Sequence, residues 1–202
     1  MSSPAIAVCC SGQGTNLKAI LRAIRGKRLR ARVSVVVSDS AGAFALERAR
    51  RAGVPAVFID PFAFRTRAAF DRALSRVVEK SGARLIVLAG FMRILSPWLV
   101  RRWAGRILNI HPALLPSFPG CRAVRDALAY GAQVTGVTVH FVDEQVDHGP
   151  ILLQGAVPVK PKDTEVALHQ RIHRLEHRLY PKAIQQVLDG RVKLSGRKVL
   201  RK

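Results

Sequence analysis

Near the middle of the chain, Asn109 and His111 stand two residues apart in the run Asn-Ile-His-Pro. On an extended segment that spacing puts both side chains on one side. An amide donor beside an imidazole can steady a developing oxyanion and move a proton, as attack on a carbonyl carbon requires. Further on, Asp143-Glu144-Gln145-Val146-Asp147-His148-Gly149-Pro150 gathers three carboxylates in a turn-forming stretch. A carboxylate brought to His111 would favour the imidazolium and raise the pKa of the ring. A solvated loop is the plainer alternative, and spacing alone does not choose between them.

A second chemistry lies near the N-terminus, in Ser11-Gly12-Gln13-Gly14-Thr15-Asn16-Leu17. The glycines permit a tight turn and close approach of the backbone to a ligand. A helix opening there would add free amides and the positive end of its dipole, which together favour an anion. The third glycine of the dinucleotide fingerprint and the Gly-Lys-Ser/Thr of a Walker loop are both absent. Toward the C-terminus, His169, His173 and His177 repeat every four residues. With no carboxylate or cysteine completing the set in register, they are expected to be a polar helix flank and not a metal site. Glu176, if it reaches the active face, suits a cationic or hydroxylated ligand.

These residues need a scaffold. Apolar, β-branched runs at Ile6–Cys10, Val33–Val37, Ala56–Ile59 and Leu85–Ala89 alternate with helical periodicity, for instance Phe70, Leu74, Val77 and Val78. That alternation predicts a doubly wound, mainly parallel twisted sheet covered on both faces. In such sheets ligands sit beyond the carboxyl ends of the strands. After Gly105 the pattern changes. Ile107–Ile110 is a short strand, Val137–Val142 and Ile151–Val159 are two more, and an antiparallel edge is expected in this C-terminal half. A last helix is expected from about Thr164 to Leu188, bent or interrupted at Pro181 and ended by Asp189-Gly190. The stretch Gly190–Lys202 carries six basic residues and no acid.

The chain has 202 residues, 49% of them hydrophobic, enough for one sizeable core. We expect one domain over 1–202: a half about 1–105 that carries the anion loop, a half about 106–194 that carries the Asn-x-His pair and the acidic turn, and a basic tail 195–202. The net charge of +21 raises the local concentration of anions, whether nucleic acid or small phosphorylated or carboxylated substrates. Cys9, Cys10 and Cys121 show no zinc spacing and suggest reduced thiols in a cytoplasmic protein. The apolar run Ala5 to Cys10 is too short for a signal-peptide core or a membrane span.

Taken in order, Ser-Gly-x-Gly-Thr-Asn-Leu, Leu-Ala-Gly-Phe-Met-Arg-Ile-Leu, Asn-Ile-His-Pro-x-Leu-Leu-Pro and Asp-x-Gly-Pro-Ile-Leu-Leu-Gln resemble the phosphoribosylglycinamide formyltransferase family. These are folate-dependent enzymes of purine synthesis with a Rossmann-like formyltransferase fold. The resemblance runs from about Ile6 to Lys193. It implies transfer of a formyl group from 10-formyltetrahydrofolate to the amine of phosphoribosylglycinamide, without a metal. Asn109, His111 and Asp147 would form the catalytic set. Gly14, Thr15 and Asn16 would cradle the ribose phosphate, and Glu176 would bind the ribose or glycinamide portion. Met92, Arg93, Ile94 and Leu95, with Asn109 and with Asp143, Glu144, Gln145, Val146 and Asp147, would line the folate pocket. Arg67 would meet the folate's glutamate tail. Small-molecule partners, no membrane, no required nucleic acid and a monomer or homodimer are expected.

Two alternatives remain open at this point. A formyltetrahydrofolate hydrolase, or a formyltransferase acting on another amine, shares the Asn-x-His pair with a later Asp, although a hydrolase has no need of an anion loop. A nucleic-acid-binding module would explain the charge, but aromatic residues are only 6% and no recognised binding motif is present.

Overall fold

The computed structural model describes residues 3–201. Strands β1 (Ala5–Cys9), β2 (Arg32–Ser38), β3 (Ala56–Phe58), β4 (Leu85–Leu88) and β5 (Ile107–His111) alternate with helices α1 (Thr15–Arg25), α2 (Phe44–Arg51), α3 (Arg67–Lys80) and α4 (Pro97–Arg102). Then come α5 (Ala123–Tyr130), β6 (Val134–Phe141), β7 (Ile151–Pro158), α6 (Glu165–Leu188) and a final pair, β8 (Val192–Ser195) and β9 (Lys198–Arg201). The main sheet has seven strands in the order β3-β2-β1-β4-β5-β6-β7. The first five are mutually parallel, while β6 runs antiparallel to both β5 and β7. The doubly wound sheet with an antiparallel edge is therefore present.

Each inner strand is buried on both faces because its successive side chains enter different cores. Ile6 and Val8 join Leu17 and Ile20 of α1 and Ile172 and Ile184 of α6. Ala7 and Cys9 join Phe70 and Leu74 of α3 and Leu99 of α4. Cys9 and Cys10 thus lie in opposite cores, and burial pushes the Cys10 thiol up to about 12.

Strand order reverses between β1 and β4, so the loops after these two strands flank a crevice at their carboxyl ends. Leu88 pairs with Asn109 across β4 and β5, which brings the loop after β4 out beside Asn109.

Three expectations need correction. Helix α6 continues through Pro181 without interruption. Pro181 is buried, and the neighbouring Tyr180 hydroxyl lies 2.7 Å from the Leu88 carbonyl and 3.0 Å from that of Leu108, so packing onto the sheet holds the helix where one amide is missing. Strand β6 starts at Val134, earlier than its alternation suggests, because Val134 to Gly136 pair with Pro158 to Ala156 of β7. Residues 192–201, which include the described part of the expected basic tail, form the β8–β9 hairpin, whose Val192, Leu194 and Val199 pack on the first core. Lys202 lies outside the described residues.

Candidate active site

The loop after β1 is held from outside. The Gly12 carbonyl accepts from the Ala45 amide at 3.0 Å, and the Gln13 carbonyl from Arg48 Nε at 2.8 Å. With these carbonyls engaged, the first-turn amides of α1 receive no side-chain cap and stay available to an anion. Gly14 caps α1 in the left-handed region, with φ +66°. A Cβ there would lie 2.8 Å from Ala45 Cβ, whereas one on Gly12 would meet nothing within 4 Å. Gly14 is therefore required by its conformation and by packing on α2, and Gly12 is the glycine that leaves open space.

Asn16, in the first turn of α1, donates from Nδ2 to Glu176 Oε2 at 2.8 Å. Both are buried, and Asn16 Oδ1 has no hydrogen-bond partner among the described residues. Burial pushes the Glu176 carboxyl up to about 7, against the opposing hydrogen bond from Asn16. His173 Nε2 lies 3.8 Å from Glu176 Oε2. The rings of His169, His173 and His177 are stacked along α6 at 4.2 and 6.0 Å between centroids. Burial lowers the pKa of His173 first of all, and the other two histidines add to this, bringing it to about 4. The flank is thus a row of neutral rings bordering Glu176.

Ser11 links this loop to the one after β4. Its hydroxyl donates to Asp39 Oδ1 at 2.6 Å and accepts from the Met92 amide at 2.8 Å, and its own amide donates to the Gly90 carbonyl at 2.8 Å. Of the residues expected to line a folate pocket here, Met92 and Ile94 are exposed and present apolar surface. Leu95 is turned into the second core, and the Arg93 guanidinium stacks on the Phe70 ring at 4.6 Å. Arg67 is exposed in the first turn of α3, close enough to Asp71 for its charge to act there.

The central cluster draws on three segments. Asn109 and His111 face one side of β5, as their spacing predicts. Of the acidic residues in 143–147, Asp147 alone reaches them: Oδ2 lies 3.3 Å from His111 Nδ1, and Oδ1 accepts from Asn109 Nδ2 at 3.3 Å. Asp143 turns to His148 at 2.7 Å, and Glu144 to Arg101 at 3.3 Å, while Gln145 and Val146 are exposed. Asp147 is a non-glycine residue at φ +51°, a conformation that persists only where its surroundings enforce it. The Gly120 amide supplies one restraint by donating to Oδ2 at 2.8 Å.

His111 Nε2 donates to the Phe118 carbonyl at 2.8 Å, so both ring nitrogens face acceptors. That arrangement suits an imidazolium, yet burial, with a smaller contribution from the His140 charge, lowers the pKa of His111 by more than the Asp147 charge and the Phe118 carbonyl raise it. The net shift is downward, opposite to the rise expected from the sequence, because His111 is only 4% exposed. For Asp147, burial is again the largest influence and pushes upward. Contacts with His140, His111 and the Gly120 amide together outweigh it, and the carboxyl falls below its usual range.

Sequence reasoning misses three contributors. His140 on β6 donates from Nδ1 to the Phe141 carbonyl at 2.8 Å and places Nε2 3.2 Å from Asn109 Nδ2. The Phe118 carbonyl and the Gly120 amide come from the loop after β5. The only available signal is the alternation of β6, which puts His140 on the face opposite Val137, Val139 and Phe141. The partner strand is not visible from that pattern.

The family described as Formyl transferase matches residues 5–184, and the chain belongs to it. The Escherichia coli (strain K12) phosphoribosylglycinamide formyltransferase is 44% identical over 189 residues, covering 94% of this chain and 89% of that protein. The trifunctional purine biosynthetic protein adenosine-3 of Gallus gallus is 48% identical over 94% of this chain, which spans 19% of that relative's length. Among solved structures, glycinamide ribonucleotide transformylase 1 from Symbiobacterium toebii superposes with a TM-score of 0.97 at 50% identity, covering 99% of this chain and 94% of that one.

Proposed function

We infer that this chain transfers the formyl group of 10-formyltetrahydrofolate to the glycinamide amine of 5'-phosphoribosylglycinamide, a step of purine biosynthesis. The observation that carries the reading is the Ser11–Met92 link. It fixes an anion-ready helix start against an exposed apolar loop, and the register of β4 with β5 puts that loop beside Asn109. Acceptor and donor then meet at Asn109, His111 and Asp147.

Gly14, Thr15 and Asn16 hold the phosphate through backbone amides, and Glu176 takes the hydroxyl or amine groups of the acceptor. Met92, Arg93, Ile94 and Leu95, with Asp143, Glu144, Gln145, Val146 and Asp147, line the folate pocket largely through backbone groups, and Arg67 meets the glutamate tail. The residues act as one domain over 1–202, and each pocket draws on both halves: Glu176 serves the acceptor, and Met92–Leu95 serve the donor. The reading takes small molecules as sole required partners of a cytoplasmic monomer or homodimer.

In the reaction the amine nitrogen forms a bond to the formyl carbon, and the carbonyl oxygen becomes an oxyanion. Asn109 Nδ2 and a His111 N–H donate to that oxyanion. The attacking nitrogen loses a proton, the bond from the formyl carbon to folate N10 breaks, and N10 takes up a proton. Asp147, anionic beside His111, stabilises the imidazolium that passing this proton creates. Holding both substrates in one crevice supplies much of the rate.

The test is an assay of folate-dependent formylation of phosphoribosylglycinamide, with formate release as the control. Formylated acceptor in step with consumed donor supports the reading. Formate release without acceptor formylation makes the protein a hydrolase.

A further inference from the structure

We propose that Arg197, at the tip of the β8–β9 hairpin, is a positioning residue for Asp147, clamping the loop that carries this carboxylate in its working conformation. The proposal rests on the reading of Asp147 as part of the catalytic set. Arg197 Nη2 donates to the His148 carbonyl at 2.8 Å, one residue beyond Asp147. Nη1 lies against the same imidazole, 2.6 Å from Nε2 and 2.8 Å from Nδ1. On its other side His148 Nδ1 donates to the Asp143 carboxylate at 2.7 Å. Asp143 Oδ1 in turn accepts from the Gln145 amide at 3.0 Å. A chain of contacts thus runs from the hairpin through His148 to Asp143 and ties down both ends of the loop.

The loop needs such a restraint. Asp147 sits at φ +51°, and a left-handed conformation in a residue with a side chain reverts unless the surroundings hold it. Gly120 and Asn109 grip the carboxylate, and the Phe141 amide donates to the Pro150 carbonyl at 2.9 Å three residues on. Between these points Arg197 holds the His148 carbonyl from a different part of the fold. The hairpin can bear the load because Leu194 and Val199 anchor it to the core, and because Gly196, at φ +55°, makes the turn that presents Arg197. A planar guanidinium with paired donors fits this two-point grip better than a lysine ammonium.

Displacement of a catalytic group by about 1 Å can cost up to ~10²-fold in rate. Arg197→Ala is therefore expected to lower kcat for formyl transfer by about tenfold or more, with the KM for the phosphorylated acceptor changed less than about twofold, because that site is built on α1 and α6. The NMR titration of His111 should move down as the Asp147 charge withdraws. Arg197→Gln, which retains a donor for the His148 carbonyl, should recover part of kcat. Lys198→Ala, an equal charge loss on the same hairpin, should behave as wild type. An unchanged kcat in Arg197→Ala overturns the proposal. So does an equal loss in Lys198→Ala, which would make the effect one of general charge, or a fall in kcat with His111 titrating as in wild type. A wild-type protein that does not formylate the acceptor would instead overturn the functional reading.

Discussion

Asn16 and Glu176, 160 residues apart in sequence, share a buried hydrogen bond of 2.8 Å that joins the first turn of α1 to the middle of α6. The bond does not fully compensate the carboxylate. Glu176 is 4% exposed, and burial lifts its pKa from the ordinary 4.5 to about 7. The folded protein thus disfavours the ionised carboxylate, a perturbation of the kind that clusters at functional sites.

The stability consequence has a definite sign. Between pH 4.5 and about 7 the unfolded chain has already released the Glu176 proton while the folded protein retains it. The unfolded state binds fewer protons there, so stability falls as pH rises through that window. Glu176→Gln should therefore unfold near the wild-type temperature at pH 4, yet several degrees higher at pH 8, with a gain of up to about 3 kcal/mol from 1.36 kcal/mol per unit. Its KM for the acceptor should rise sharply. Equal melting temperatures at pH 8 would show that the carboxylate is compensated in the empty protein.

The two loop glycines separate packing from ligand approach. Gly14→Ala forces a side chain into φ +66° and against Ala45, and should destabilise the fold by on the order of 1–3 kcal/mol in thermal or denaturant unfolding. Gly12→Ala meets open space and should fold normally while raising the acceptor KM roughly tenfold, or ~1.4 kcal/mol. An unchanged acceptor KM in Gly12→Ala would move the anion site away from this turn.

Arg67 begins α3 in a first turn with no acidic residue, where a cation opposes the helix dipole. Its charge also acts on Asp71, four residues on in the same helix. Arg67→Ala should leave the melting temperature unchanged or slightly higher, and weaken polyglutamylated donors by roughly two- to fivefold relative to the monoglutamate, less at high salt. Steady-state kinetics with both donor forms checks this. An identical loss for both would remove Arg67 from the glutamate end.

Much of this site is legible in the sequence because it depends on local rules. The two-residue spacing of Asn109 and His111 fixes a shared face, and continuous apolar strands dictate a sheet buried on both sides. What is not legible depends on non-local geometry. Asp143, Glu144 and Asp147 are equivalent by composition. Asp147 reaches His111 through a left-handed backbone and an amide from Gly120. The direction of the His111 shift turns on burial against charge, a balance that no motif records. The β8–β9 hairpin has only partly buried side chains, so its alternation is weak against a background of basic residues.

The proposed proton transfer turns on Asp147. Its charge raises the pKa of His111 against the stronger lowering by burial. By NMR, the wild-type imidazole should therefore titrate below 6.5, and that of Asp147→Asn lower still. Asparagine keeps the size of the side chain and part of its hydrogen bonding but cannot stabilise the imidazolium formed during transfer. The most direct measurement is kcat for formylation of phosphoribosylglycinamide by Asp147→Asn with both substrates saturating. A fall of ~10²-fold or more is expected, the scale of losing one general acid–base element, with the acceptor KM little changed. Near-normal turnover would contradict it and leave Asp147 a turn residue.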